Sequence, residues 1–115
     1  MYAILRGDIY MPPGKAASQA CHAILESHKK TPTDLSDAYH ADGLGTKIIL
    51  FAPDESALRE TEIRATALGI PCALIIDKGH ILPPDFNGKP IVTALGIGPI
   101  TREISDLLTE GFEKY

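Results

Sequence analysis

Cys72-Ala73-Leu74-Ile75-Ile76-Asp77 is the stretch on which the fold turns. Its five apolar residues, set between Pro71 and Gly79, are strand-length and rich in isoleucine, so they read as a β-strand. Both alternating sets of side chains are apolar. A strand of that kind belongs to a sheet covered on both faces, which points to an α/β architecture.

Working outward supplies the covering layers. Before the strand, Asp54 is a plausible N-cap for a helix running to Leu68, with Gly69 as its stop and Pro71 just beyond. Upstream of that helix, Lys47-Ile48-Ile49-Leu50-Phe51 is a second buried strand, ended by Pro53. After Asp77, the segment Lys78–Pro90 carries Asn87-Gly88, a hairpin-turn signal, and leads into the strand Ile91-Val92-Thr93-Ala94-Leu95. Gly96-Ile97-Gly98-Pro99 then introduces a last helix from about Thr101 to Phe112. At the other end, Tyr2–Arg6 reads as a strand and Gly14–His28 as a helix. Residues Thr31–Gly45 mix Pro, Asp, Ser and Gly and read as a loop with one helical turn around Asp34–Tyr39. The order β-α-β-α-β-β-α predicts one domain over residues 1–115, a three-layer α/β/α fold with a mixed four-stranded sheet.

Within the first helix, Ala17, Ala20, Cys21, Ile24 and Leu25 form a small-residue side suited to packing on the sheet. Lys15, Gln19, His22 and Glu26 form a polar row. Lys15 follows Gly14 in the first turn, where free N–H groups and the helix dipole make a cation unfavourable unless an anion is near. That placement points to an anionic partner, a phosphate or carboxylate. Ala16 follows Lys15 and no glycine precedes Gly14 at phosphate-loop spacing, so a nucleoside-triphosphate loop is excluded. Asp77 stands at the C-terminal edge of a buried strand, where open α/β sheets bind ligands; its bland alternative is a turn residue ahead of Gly79. Thr93 is an ordinary strand residue by position, and His22 an ordinary surface histidine.

Other chemistries find no support. Cys21 and Cys72 are far apart, which points to a reducing compartment with neither a disulfide framework nor a zinc site. His28, His40 and His80 lack metal-ligand spacing. No apolar run reaches signal-peptide or membrane-spanning length, so the expected location is cytoplasmic, away from membranes. A net charge of −4 argues against bulk electrostatic binding of nucleic acid. Residues 1–30, however, carry four basic and two acidic side chains, so any basic surface is local to the first strand and helix.

Three blocks together resemble the archaeal/eukaryotic-type, second-class peptidyl-tRNA hydrolases. They are Arg6-x-Asp8-Ile9-x-Met11-x-x-Gly14-Lys15-x-Ala17-x-Gln19 with His22-Ala23, then Leu68-Gly69-Ile70-Pro71 leading to Asp77-x-Gly79, then Thr93-x-Leu95-Gly96-Ile97-Gly98-Pro99. The resemblance implies a homodimer that hydrolyses the ester between a peptide, or an N-blocked amino acid, and the 3′ end of tRNA, with no metal or cofactor. It implies catalytic roles for Lys15, Asp77, Thr93 and Gln19, and substrate contacts from Gly14, His22, Lys78 and His80. The chain departs from the family after the aspartate, where Asp77-Lys78-Gly79-His80-Ile81 replaces an arginine and a threonine, and its Asp77–Thr93 connection is about four residues longer. That departure keeps a second expectation open: a catalytically impaired relative binding RNA, a nucleotide or a protein on the same fold.

Overall fold

A computed structural model describes all of residues 1–115. The chain forms β1 (Tyr2–Arg6), α1 (Pro13–Lys29), α2 (Thr33–His40), β2 (Ile48–Ala52), α3 (Glu55–Ala67), β3 (Cys72–Asp77), β4 (Ile81–Leu82), β5 (Phe86–Asn87), β6 (Ile91–Ile97), α4 (Arg102–Leu108) and β7 (Glu113–Lys114). The main sheet runs β3-β6-β1-β2-β7, with β1 and β2 parallel and the other pairs antiparallel. α1 covers one face over Ala3, Leu5, Ile75 and Ala94. α3 and α4 cover the other, where Leu58, Ala65 and Leu108 meet Ile4, Leu50, Leu95 and Ile97. The three-layer mixed α/β fold is as expected from sequence.

The ends of α3 follow local chemistry. Asp54 Oδ1 accepts a hydrogen bond from the Ala57 N–H at 2.9 Å. At the other end Gly69, with φ +72°, lets its N–H reach the Thr66 carbonyl and the Ile70 N–H reach the Ala65 carbonyl.

Five expectations are corrected. The sheet has five strands rather than four, because the last helix stops at Leu108 instead of Phe112 and the chain pairs Glu113–Lys114 with β2. Gly111, at φ +82°, makes that reversal, and the new strand covers what would otherwise be a free edge of β2. Asn87-Gly88 is not the hairpin tip: the chain reverses at Pro83–Asp85, and the Gly88 carbonyl and N–H extend the β4–β5 arm by pairing with Gly79 and His80. Residues 33–40 form a helix of two turns, hidden in the sequence because its apolar positions, Leu35, Ala38 and Tyr39, span a single turn and none of its residues is buried. In α1, the side packed on the sheet is Ala16, Gln19, Ala20, Ala23 and Ser27, while Ala17, Cys21 and Leu25 are exposed. Gln19 consequently leaves the polar row and enters the interior.

The reason for that rotation is Gly96. A Cβ built there would sit 1.9 Å from the Ala23 carbonyl oxygen and 3.1 Å from the Ser27 Cβ. The helix backbone rests directly on β6 at this point, and only small residues tolerate so close an approach. Ser27 Oγ completes the seam by donating to the Gly98 carbonyl at 2.8 Å.

Candidate active site

The site lies where the C-terminal ends of β1 and β3 meet the N-terminal turn of α1. Pro13 opens that helix, its Pro12 cap provides no side-chain acceptor, and its first turn contains no acidic residue. Lys15 sits in this turn, and its Nζ donates to Asp77 Oδ2 at 2.9 Å across 62 residues of sequence. The anion called for by a lysine at a helix N-terminus is thus a carboxylate of the same chain. Both side chains are partly shielded, with 14% of Lys15 and 21% of Asp77 exposed. Asp77 Oδ1 is left free of protein donors, and Asp77 lines a groove of about 390 Å³ with Gln19, His22, Glu26 and Leu74–Ile76.

Behind this pair, Thr93 Oγ1 donates to Gln19 Oε1 at 2.5 Å, with Thr93 fully buried and Gln19 2% exposed. The Gln19 amide nitrogen is therefore turned toward the groove that Gln19 lines; no buried side-chain nitrogen or oxygen is left unpartnered.

Thr93 reaches Gln19 because β6 is bulged. Ile75 pairs with Ala94 but Ile76 pairs with Val92, so Thr93 is an extra residue. Strict alternation from Ile97 and Leu95 places residue 93 on the α3 face. Instead Val92 takes that place in the core, and Thr93 joins Ala94 on the α1 face.

Arg6 pins the neighbouring backbone. It forks onto Asp8 at 3.0 and 2.9 Å, and its Nη1 donates to the Val92 carbonyl at 3.1 Å. Glu55 lies 3.6 Å away. The hydrogen bonds with Asp8 raise the guanidinium pKa above its ordinary value and hold the Asp8 carboxyl below the usual carboxylate range.

One wall comes from the β4–β5 arm. Phe86, 1% exposed, places its ring under the Lys15 ammonium with 4.8 Å between Nζ and centroid. The Tyr10 N–H donates to Asp85 Oδ2 at 3.0 Å and ties the arm to the loop after β1.

Lys15, Asp77, Gln19 and Thr93 thus come together, with Gly14 exposed in the first turn and His22 exposed on the groove wall. Lys78 and His80 are exposed at the base of the arm, the His80 ring packing 5.5 Å from Phe86. Sequence reasoning missed Phe86. Its signal was the lone phenylalanine in a proline-rich connection whose other large apolar residues are Ile81 and Leu82.

Residues 1–115 match the family described as Peptidyl-tRNA hydrolase PTH2 from end to end. The chain belongs to the peptidyl-tRNA hydrolase family. It is 36% identical over 121 residues to the peptidyl-tRNA hydrolase of Pyrobaculum aerophilum, an alignment spanning all of this chain and 96% of that one. Against the enzyme of Methanothermobacter thermautotrophicus, identity is 35% over 106 residues, with 92% of this chain and 90% of the relative covered. It is also 31% identical over 120 residues to the mitochondrial peptidyl-tRNA hydrolase 2 of Bos taurus, of which it spans 63%. Placed in this family, the Lys15–Asp77 pair has a reaction to be measured against: cleavage of an ester.

Proposed function

We propose that this chain hydrolyses the ester joining a peptide, or an N-blocked amino acid, to the terminal ribose of tRNA, and that Lys15, Asp77, Gln19 and Thr93 carry the chemistry. Family membership supports the activity, and the 2.9 Å contact between Lys15 and Asp77 is the observation that carries the residue roles. An ester needs no covalent intermediate if water is positioned and the developing charge is met.

Asp77 Oδ1 holds the water and accepts its proton as the oxygen attacks the ester carbonyl carbon. The resulting oxyanion lies against the Lys15 ammonium and the Gln19 amide N–H. As the tetrahedral species collapses, the C–O bond to ribose breaks and the proton on Asp77 passes to the departing ribose oxygen. The products are a free peptide acid and tRNA with an intact terminal hydroxyl. Thr93 fixes the Gln19 amide in the donor orientation, a positioning role through the hydrogen bond between them.

Gly14, His22, Lys78 and His80 contact the substrate around this centre, the two basic side chains of the arm facing the acceptor end. The working form is a homodimer in the cytoplasm, which sedimentation velocity and fractionation test directly.

The deciding experiment follows release of N-acetyl-amino acid from acylated tRNA. Lys15→Ala and Asp77→Ala are each expected to lower kcat by about 100-fold or more (roughly 3 kcal/mol of transition-state stabilisation) with the fold intact. Losses under about tenfold for both variants refute the assigned roles.

A further inference from the structure

β3 ends the sheet and pairs on one side only, with β6. Edges of this kind are normally blunted by charge, proline, a bulge or a covering element. The outer edge of β3 has little of this. Its sequence through Ile76 carries no charge or proline, the register shift lies on the β6 side, and Ile76 is 55% exposed. Lys30 is the one side chain that hydrogen-bonds to the backbone of β3, its Nζ donating to the Cys72 carbonyl at the far end from the site. The Pro71 carbonyl accepts from the Gly98 N–H and so points toward β6. Backbone direction alternates, which turns the N–H and C=O groups of Leu74 and Ile76 to the open edge. That edge forms one side of the groove holding His22, Glu26 and Gln19, and it runs straight into Asp77.

We propose that this edge is the subsite for the peptide portion of the substrate, which adds to β3 as an extra parallel strand. The proposal rests on the ester-hydrolase reading above. Direction follows from chemistry. The scissile carbonyl belongs to the last residue of the peptide and must reach Asp77, the last residue of β3, so the two chains run the same way. An antiparallel peptide puts its ester at Cys72, next to Lys30 and away from the Lys15–Asp77 pair. In the parallel register, the ester-bearing residue donates its N–H to the Ile76 carbonyl, and the residue two before it donates to the Leu74 carbonyl. The intervening residue points its N–H away from β3. Main-chain pairing reads no side chain, which suits an enzyme whose substrates carry any peptide sequence.

The test uses the full chain with N-acetyl-trialanyl-tRNA, two versions carrying a single N-methyl amide, and N-acetyl-alanyl-tRNA as the reference. Methylation two residues before the ester-bearing alanine is expected to lower kcat/KM about fivefold to tenfold, the worth of one backbone hydrogen bond. Methylation one residue before it is expected to change kcat/KM less than twofold. Equal sensitivity at both positions, or none at either, with N-acetyl-alanyl-tRNA still turned over, overturns the strand-addition proposal and leaves the hydrolase reading standing. No turnover of any of the four overturns both. Amide exchange of Leu74 and Ile76 that slows with protein concentration alone assigns the edge to a second copy of this chain and also overturns the proposal.

Discussion

Gly96→Ala tests how the fold holds the site together. The added Cβ meets the Ala23 carbonyl oxygen at 1.9 Å and its carbon at 2.6 Å, both backbone atoms of α1 that cannot swing aside. Bringing the first contact to even 3.0 Å requires α1 and β6 to separate by about 1 Å. That movement loosens Ala16, Ala20 and Ala23 on the sheet and strains the bond from Ser27 to Gly98. It also pulls Gln19 from Thr93. Overpacking of this kind costs about 3 kcal/mol, and a lost buried hydrogen bond adds roughly 1 kcal/mol. In a domain of this size the midpoint of thermal unfolding is expected to fall by roughly 10 °C or more. Activity on N-acetyl-aminoacyl-tRNA falls further, by about 100-fold, because a 1 Å displacement separates Lys15 and Gln19 from groups held by the sheet. Gly14→Ala is the stability control: a Cβ there meets nothing within 4 Å, and alanine in a helix is neutral or slightly stabilising. A Gly96→Ala protein within about 1 kcal/mol of wild type in denaturant refutes the close-approach argument.

Thr93→Val removes the donor to Gln19 Oε1 and strands a buried acceptor, a cost of about 1–3 kcal/mol by urea unfolding. Adding Gln19→Leu recovers part of that stability while activity stays low, since both polar groups are then gone. Asp8→Asn is expected to cost only about 0.5 kcal/mol near neutral pH, because its side chain is more than a third exposed. The folded carboxyl titrates below its ordinary value, so its contribution is present above the usual carboxylate range and disappears as pH falls through the lowered value. Denaturation curves of wild type and Asp8→Asn therefore converge in acid; a gap that persists or widens there contradicts the ion-pair assignment.

By itself the sequence determined the layers and most of the element boundaries. Local signals were sufficient where the physics is local: the apolar run of β3, the Asp54 cap and the Gly69 stop of α3 each act within a few residues. It also singled out Lys15, because a cation is unfavourable in a first helical turn whatever surrounds it. The choice of Asp77 as its partner, 62 residues away, was decided by topology, since only the sheet brings the end of β3 to the start of α1. The same holds for Gln19 and Thr93. Periodicity put one on a polar face and the other among strand residues, but the contact at Gly96 rotated the helix and a bulge in β6 turned the threonine to meet it. Backbone clearances and sheet register are sums over distant parts of the chain, and no window of sequence contains them.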